Sequence, residues 1–253
     1  MSVQHKVDRF IAAAIALLIL ISWEVAARHE WISSLVFPAP SVILMDFGTL
    51  WHQDLAEKIG FTLGRFFAGV VMGGIPGILA GLCIGWLPRV RRVADPFIAA
   101  IHPVPKIVLF PLFIVIFGTT EFSKLAAVAL TVFFPSLINA AAGAREISPL
   151  YFEVVRSYGG HRWALFRHVL LPGSVPMILS GVRIAANIGL LVTIAIEFTM
   201  TTRGIGSIIW LAWQTMRTED LYVGIATLSA IGIIINASIQ FLLRRLTPWQ
   251  AGN

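Results

Sequence analysis

Residues 153–172 read EVVRSYGGHRWALFRHVLLP. The stretch is polar and basic, yet long apolar runs flank it on both sides. Just upstream, Ser148 is placed to cap a helix with Pro149 in its first position, where the missing N–H would have had no partner anyway. Phe152, Val155 and Tyr158 then fall on one side of that short helix, and Gly159-Gly160 ends it, because glycine adopts the left-handed conformation that closes helices. A second helix over about residues 161–168, flanked by His161 and His168, leads to Pro172, which opens the next apolar run. Two short helices about a glycine turn form a compact knob that suits the groove of a partner and can transmit its movement. The plainer alternative is an amphipathic connector between two spans.

The flanking runs set the class. The chain has 253 residues, 57% of them hydrophobic and 13% charged, with a mean hydropathy of +0.84. Soluble domains carry about 25% charged and about 45–50% apolar residues, so this is an integral membrane protein, read as one domain. Its formal charge of +6 fits cytoplasmic loops rich in Lys and Arg and does not argue for nucleic acid. The one cysteine, Cys83, lies in an apolar run and has no partner for an internal disulfide. Lys6 and Arg9 followed by an apolar run mimic a signal peptide. The run reaches Ala27, longer than a signal core, and no small-x-small cleavage site follows, so it reads as an uncleaved first span.

A spanning helix needs about 20 mostly apolar residues. Six candidates follow, at roughly 10–27, 61–87, 96–118, 121–143, 173–199 and 219–243. One face collects Lys6, Arg9, Arg89, Arg91, Arg92, Arg145, Arg156, Arg162, Arg167, Arg244 and Arg245. The other collects Arg28, Lys58, Lys124, Arg203 and Arg217, with Arg65 near its edge. The positive-inside bias then makes both termini and the 153–172 stretch cytoplasmic. The external loop 28–60 holds a proline-set turn, FPAPS at 37–41, and an amphipathic helix over 41–58 with Ser41 as N-cap. PRVRR at 88–92 reads as a short cytoplasmic turn with a basic anchor. The third span carries Pro103, Pro105 and Pro111 beside His102 and Lys106, which predicts a kink. Trp23, Trp31, Trp51, Trp86 and Trp249 fall near span ends, as interfacial anchors do.

Arg183, Asn187, Leu190, Ile194 and Glu197 follow helical spacing and share one face of the fifth span. At about 1.5 Å per residue, Arg183 lies roughly 16 Å from Pro172, near mid-depth. It either attracts an anion in transit or braces a neighbouring helix. Glu197, near the external end, is expected to pair with Arg203 or Arg217, or to gate. Lys106 supplies a second cation at depth. Lys106, Arg183, Asn187 and Glu197 are thus candidates for a translocation path, and two intramembrane cations favour an anionic solute. The alternative for each is a structural bond to a carbonyl or carboxylate inside the bundle. No His/Cys/Asp cluster has metal-ligand spacing.

Glu153, Gly159, Val169, Leu171 and Pro172 also fall at the spacing of the EAA loop of bacterial ABC importer permeases: a Glu-led triplet, a glycine six residues on, then Ile/Val-x-Leu-Pro. The chain resembles that family over nearly its whole length. It is most similar to the nitrate/sulfonate/taurine/bicarbonate group through FPAPSVI (37–43), HPVPKIVLFPLFIVIFGTTEFSK (102–124), FPSLINAAAGAREI (134–147), EVVRSYGG (153–160), GVRIAANIGLLVTIAIEF (181–198) and TRGIGSII (202–209). Val154-Val155 departs from the two alanines that name the motif.

The resemblance implies an all-α, type I ABC importer permease fold of about six transmembrane helices. It is a single permease domain over 1–253, with its core at about 58–243 and its coupling-helix loop at about 145–171. Glu153, Arg156, Ser157, Tyr158, Gly159, Gly160, Trp163 and Leu165 would dock the ATPase. Two permease copies, taken as identical, would pair in the bacterial inner membrane among lipid. Two ATPase subunits would bind the loops, and a periplasmic or lipid-anchored binding protein would deliver solute. The chain has no G-x-x-x-x-G-K-[ST] loop, so ATP and Mg would belong to the partner ATPase and this chain would be no enzyme. The expected cargo is a small anion of the sulfonate, taurine, nitrate, bicarbonate or aromatic-acid type. The alternatives are a vitamin precursor of the thiamine-pyrimidine or riboflavin type, an ATPase-independent channel or secondary transporter, and an intramembrane enzyme, for which the sequence offers only scattered acids and histidines.

Overall fold

The computed structural model describes residues 3–200 and 202–247. The side chains of Lys6 and Arg9, and all of Trp249, lie outside the described residues. The described residues are helical, with no strand. Helix α1 (Val3–Arg28) stands at the side, with Phe10, Leu18 and much of its remaining apolar surface exposed. It is tied to α2 (Pro40–Leu50) by a polar latch: Glu24 accepts from Ser41 N at 2.9 Å and from Ser41 Oγ at 2.7 Å, and it pairs with Arg28. Ser41 was expected as the N-cap; the cap is Ala39, Pro40 takes the first helical position, and the Ser41 hydroxyl serves the latch.

Helix α2 does not end in a loop. A π turn over Trp51–Leu55 carries it into α3 (Ala56–Trp86), so the second span is part of a helical run over Pro40–Trp86. PRVRR, expected as a turn, is instead the first turn of α4 (Pro88–Ile101), which a proline at the first position favours. The third span is broken rather than kinked. Helix α4 and the following segment, a 3-10 turn at Lys106–Leu109 and α5 (Phe110–Phe117), meet at 83°. Pro103 and Pro105 supply no N–H to the carbonyls of the last α4 turn, and Lys106 Nζ bonds Ile101 O (3.1 Å) and His102 O instead. Pro111 sits in the first turn of α5 and bends nothing.

Helix α6 (Glu121–Arg145) is the centre of the bundle. It packs parallel to α3: Gly69 meets Val128, Gly73 meets Ala129, Gly77 meets Phe133, Gly81 meets Leu137 and Gly85 meets Ala141. A methyl added at Gly85 would stand 2.6 Å from Ala141 O, so the glycines at every fourth position are what lets the two backbones touch. Parallel packing of α3 and α6 has a topological consequence. The chain leaves α3 at one end of the bundle and starts α6 at the other, so the bent α4–α5 pair carries it across and counts as the sixth span.

Helix α7 (Pro149–Ser157) and α8 (Arg162–Leu165) form the loop after α6. Helix α9 (Leu171–Met200) runs antiparallel to α6, with Gly143 against Met177 and Gly181 against Asn139. Helix α10 (Ile205–Thr215), between the spans expected at 173–199 and 219–243, has its first residues buried beneath α3 and α9. Helix α11 (Thr218–Leu246) closes the chain on the outside of α9. The core follows α3, α6 and α9. Phe110, Ala127, Val128, Val132, Ala185, Val192 and Ile196 form one cluster of it, and Leu82, Ala140, Ala144, Leu170 and Ile178 another.

Candidate functional site

The loop after α6 is built much as its residues dictate. Ser148 Oγ accepts from Leu150 N at 3.4 Å and Pro149 takes the first helical position. Gly159 has φ of +78°, and Gly160 N returns to Val155 O at 2.9 Å, closing α7. Phe152 turns inward and packs against the cluster of Leu82, Ala144, Leu170 and Ile178, which joins α7 to α3, α6 and α9. Glu153, Arg156, Ser157 and Gly159 are exposed, Gly160 is half-buried, and Tyr158 stands out at 89% exposure. Tyr158 was placed on one face with Phe152 and Val155; it caps the helix with φ −85° and ψ 13° and so leaves that face. Trp163 is exposed and stacks on Phe166 at 5.4 Å. Leu165 is buried, so it anchors the knob instead of lying on its surface.

The second short helix is not separate. A π turn over Phe166–Leu170 joins α8 to α9, making one helical run over Arg162–Met200 that passes through Pro172. In that turn Leu171 N reaches back to Phe166 O, a wider register in which the missing N–H of the following proline is accommodated. Between α7 and the feet of α6 and α9 lies a recess of about 620 Å³, lined by Glu146, Tyr151, Val155, His168 and Pro172 among others.

At the opposite end of the bundle the charges gather on one guanidinium. Arg65 is buried, with both carboxylate oxygens of Glu121 at 2.8 and 3.0 Å, Glu197 Oε1 at 2.8 Å and Arg203 O at 2.7 Å. Glu197 is fully buried and also accepts from Thr62 Oγ1 at 2.9 Å and Gly206 N at 3.0 Å. Lys124 Nζ donates to Glu121 at 2.7 Å. Glu197 thus sits against the N-terminus of α10, where free N–H groups favour an anion. Gly204, at φ +113°, leaves room for its carboxylate, which a side chain there would strike. Glu197 therefore pairs with Arg65, which the sequence reading had put at a span edge, and not with Arg217, which pairs with Asp220 at 3.1 Å. No local signal links Arg65 to Glu197 across the intervening chain. The exposed mouth of this cluster is a recess of about 670 Å³, bordered by Lys124, Thr202, Arg203 and Trp210.

The four path candidates do not converge. Lys106 caps α4 carbonyls and lies 4.7 Å from the Phe134 ring centroid. Glu197 belongs to the Arg65 cluster. Arg183 and Asn187 remain together on α9, and Asn187 Oδ1 accepts from Asn236 Nδ2 of α11 at 2.9 Å. Asn236 was missed; its place in an apolar span was the available signal. Among the described residues there is no group of three or more His, Cys, Asp or Glu able to hold a metal ion.

Comparison with known proteins adds a family. The model of the binding-protein-dependent transport system inner membrane component family matches residues 69–251. The taurine transport system permease protein TauC of Escherichia coli (strain K12) is 33% identical over 247 residues, covering 93% of this chain and 87% of that protein. The putative aliphatic sulfonates transport permease protein SsuC of the same strain is 33% identical over 228 residues, covering 90% of this chain and 87% of that protein. In fold, the chain is similar to an inward-facing crystal form of the MetNI methionine ABC transporter, with a TM-score of 0.69 over 79% of this chain and 98% of that one at 16% identity.

Proposed function

Because the chain belongs to the family of binding-protein-dependent transport system inner membrane components, we propose that it is the permease subunit of an ATP-driven importer for a small anionic solute. The taurine and aliphatic sulfonate permeases among its relatives favour a sulfonate. The observation that carries the reading is the α7 knob. Its outer surface, Glu153, Arg156, Tyr158 and Trp163, is left exposed, while Phe152 roots it among residues of α3, α6 and α9. A push on such a knob moves three packed helices as a body, which is what alternating access needs from a coupling element.

In this reading α7 and α8 face the cytoplasm with both termini, and α10 faces outward, as the basic residues favour. Two copies of the chain pair in the membrane, two ATPase subunits take the two knobs, and ATP and Mg stay on those subunits. A binding protein delivers solute from outside. The test is co-purification from detergent-solubilised native membranes followed by mass spectrometry. An ABC ATPase at roughly equal stoichiometry is expected. The chain alone, moving taurine into liposomes without ATP, would overturn the reading in favour of a channel or secondary carrier. Gly159→Asp is expected to leave the protein in the membrane while ATP hydrolysis no longer drives uptake; normal uptake by that variant argues against the knob as the coupling element.

A further inference from the structure

Arg183 stands in the middle of a spanning helix with no group among the described residues to neutralise it. It is half-buried on α9 and, among the described residues, makes no hydrogen bond, ion pair or ring contact. It is also absent from the side chains that carry a buried, unpartnered polar atom, so its guanidinium reaches open surface. The carboxylates that might have served it are engaged elsewhere: Glu24 with Arg28 and Ser41, and Glu121 and Glu197 with Arg65. Glu197 is about 21 Å further along α9 at about 1.5 Å per residue. One turn from Arg183, Asn187 pairs with Asn236 and keeps its own amide hydrogens available. The neighbouring exposed residues Ile184, Ile188 and Leu191 are apolar.

A charged side chain facing hydrocarbon is costly, and such residues turn toward protein or water. We infer that Arg183 and Asn187, with Asn187 held by Asn236, form an anion-selecting station on a water-filled path. Its planar guanidinium donors take two oxygens of a sulfonate or similar oxyanion, and the Asn187 amide takes a third. This deepens the importer reading and rests on it for the identity of the cargo.

The test needs neither ATPase nor binding protein. Asn187→Cys is made in a Cys83→Ala chain, purified in detergent away from any ATPase, and treated with two thiol reagents of opposite charge, sulfonatoethyl and trimethylammonioethyl methanethiosulfonate. Exposed Tyr158→Cys reports that the reagents reach the protein. Asn187→Cys is expected to react, and to favour the sulfonate reagent. Arg183→Gln should lower that preference about tenfold, the effect of one nearby charge on two opposite ions in a wet path, while Arg183→Lys retains it. Equal rates for both reagents whatever stands at 183, or no reaction at 187 while 158 reacts, overturns the inference. Either failure leaves the importer reading intact if the ATPase still co-purifies.

Discussion

At the α10 end of the bundle, Arg65, Glu121, Lys124 and Glu197 answer one another within a single chain, and Glu197 has no exposed surface at all. At the α7 end, Tyr158 is 89% exposed, and Glu153 and Arg156 make no ion pair among the described residues. The first end is chemically finished; its polar groups hold α3, α6, α9 and α10 in one arrangement. The second is finished only on its inner side, where Phe152 and Leu165 are packed, and its outer side is left for something else to cover. Strength at one end and incompleteness at the other suit a lever: a rigid body with a handle.

Removing one member of the buried cluster breaks the comparison most severely. Glu197→Leu takes one of two carboxylates from Arg65 and leaves the buried Gly206 N–H and Thr62 hydroxyl without their acceptor, and each buried donor left unsatisfied costs about 1–3 kcal/mol. The expected result is a large drop in the melting temperature of the detergent-solubilised protein, with little of it reaching the membrane. Adding Arg65→Met should recover little of the loss, because in the single variant Arg65 still has Glu121 and is no orphan charge. Glu121 keeps Lys124 in that double variant. If Glu197→Leu melts with the parent, the cluster is not what holds this end.

The glycine seam should give an intermediate effect. At Gly77 a methyl would stand 2.5 Å from Phe133 O and 3.1 Å from Ser136 Cβ, so Gly77→Ala must push α3 and α6 apart. Overpacking of this kind costs about 1–3 kcal/mol. Gly64, on the same helix, has nothing within 4 Å, and Gly64→Ala should be neutral or raise stability by up to about 1 kcal/mol through helix propensity. Thermal melting of the two variants side by side separates a contact effect from a propensity effect; equal shifts would remove the close-packing argument.

The two ends also differ in how far the sequence disclosed them. Ser148, Pro149 and Gly159 act on their immediate neighbours, and the α7 turn formed where those residues put it. The long spans were legible because apolar length is itself local information. The Arg65–Glu197 pair was not, because it joins residues far apart in the chain, and a basic residue near a span end reads equally well as an interfacial anchor. Helix α10 was hidden for a related reason: its start is fixed by Gly204 and by Glu197 of another helix. The glycines at 69, 73, 77, 81 and 85 went unread, because the helix they face could be named only once α6 was in place. Pro103 and Pro105 announced a bend without its size, since 83° depends on how α4 and α5 pack on either side.

The smallest effect on stability should come at the handle. Tyr158 lies past the last turn of α7, and its backbone N–H bonds to Val154 O without help from the ring. Tyr158→Ala therefore removes little buried area, and an exposed substitution of this sort stays within about 0.5 kcal/mol. Its melting curve should overlay the parent's. If the outer face of the knob is where an ATPase grips, an exposed aromatic is the kind of side chain that dominates binding, and truncation costs about 2 kcal/mol or more. Co-purified ATPase should then fall about thirtyfold at limiting concentration. A variant that melts lower and retains its ATPase would reverse both halves of the comparison, making Tyr158 a support of the fold and moving the docking surface elsewhere on α7 and α8.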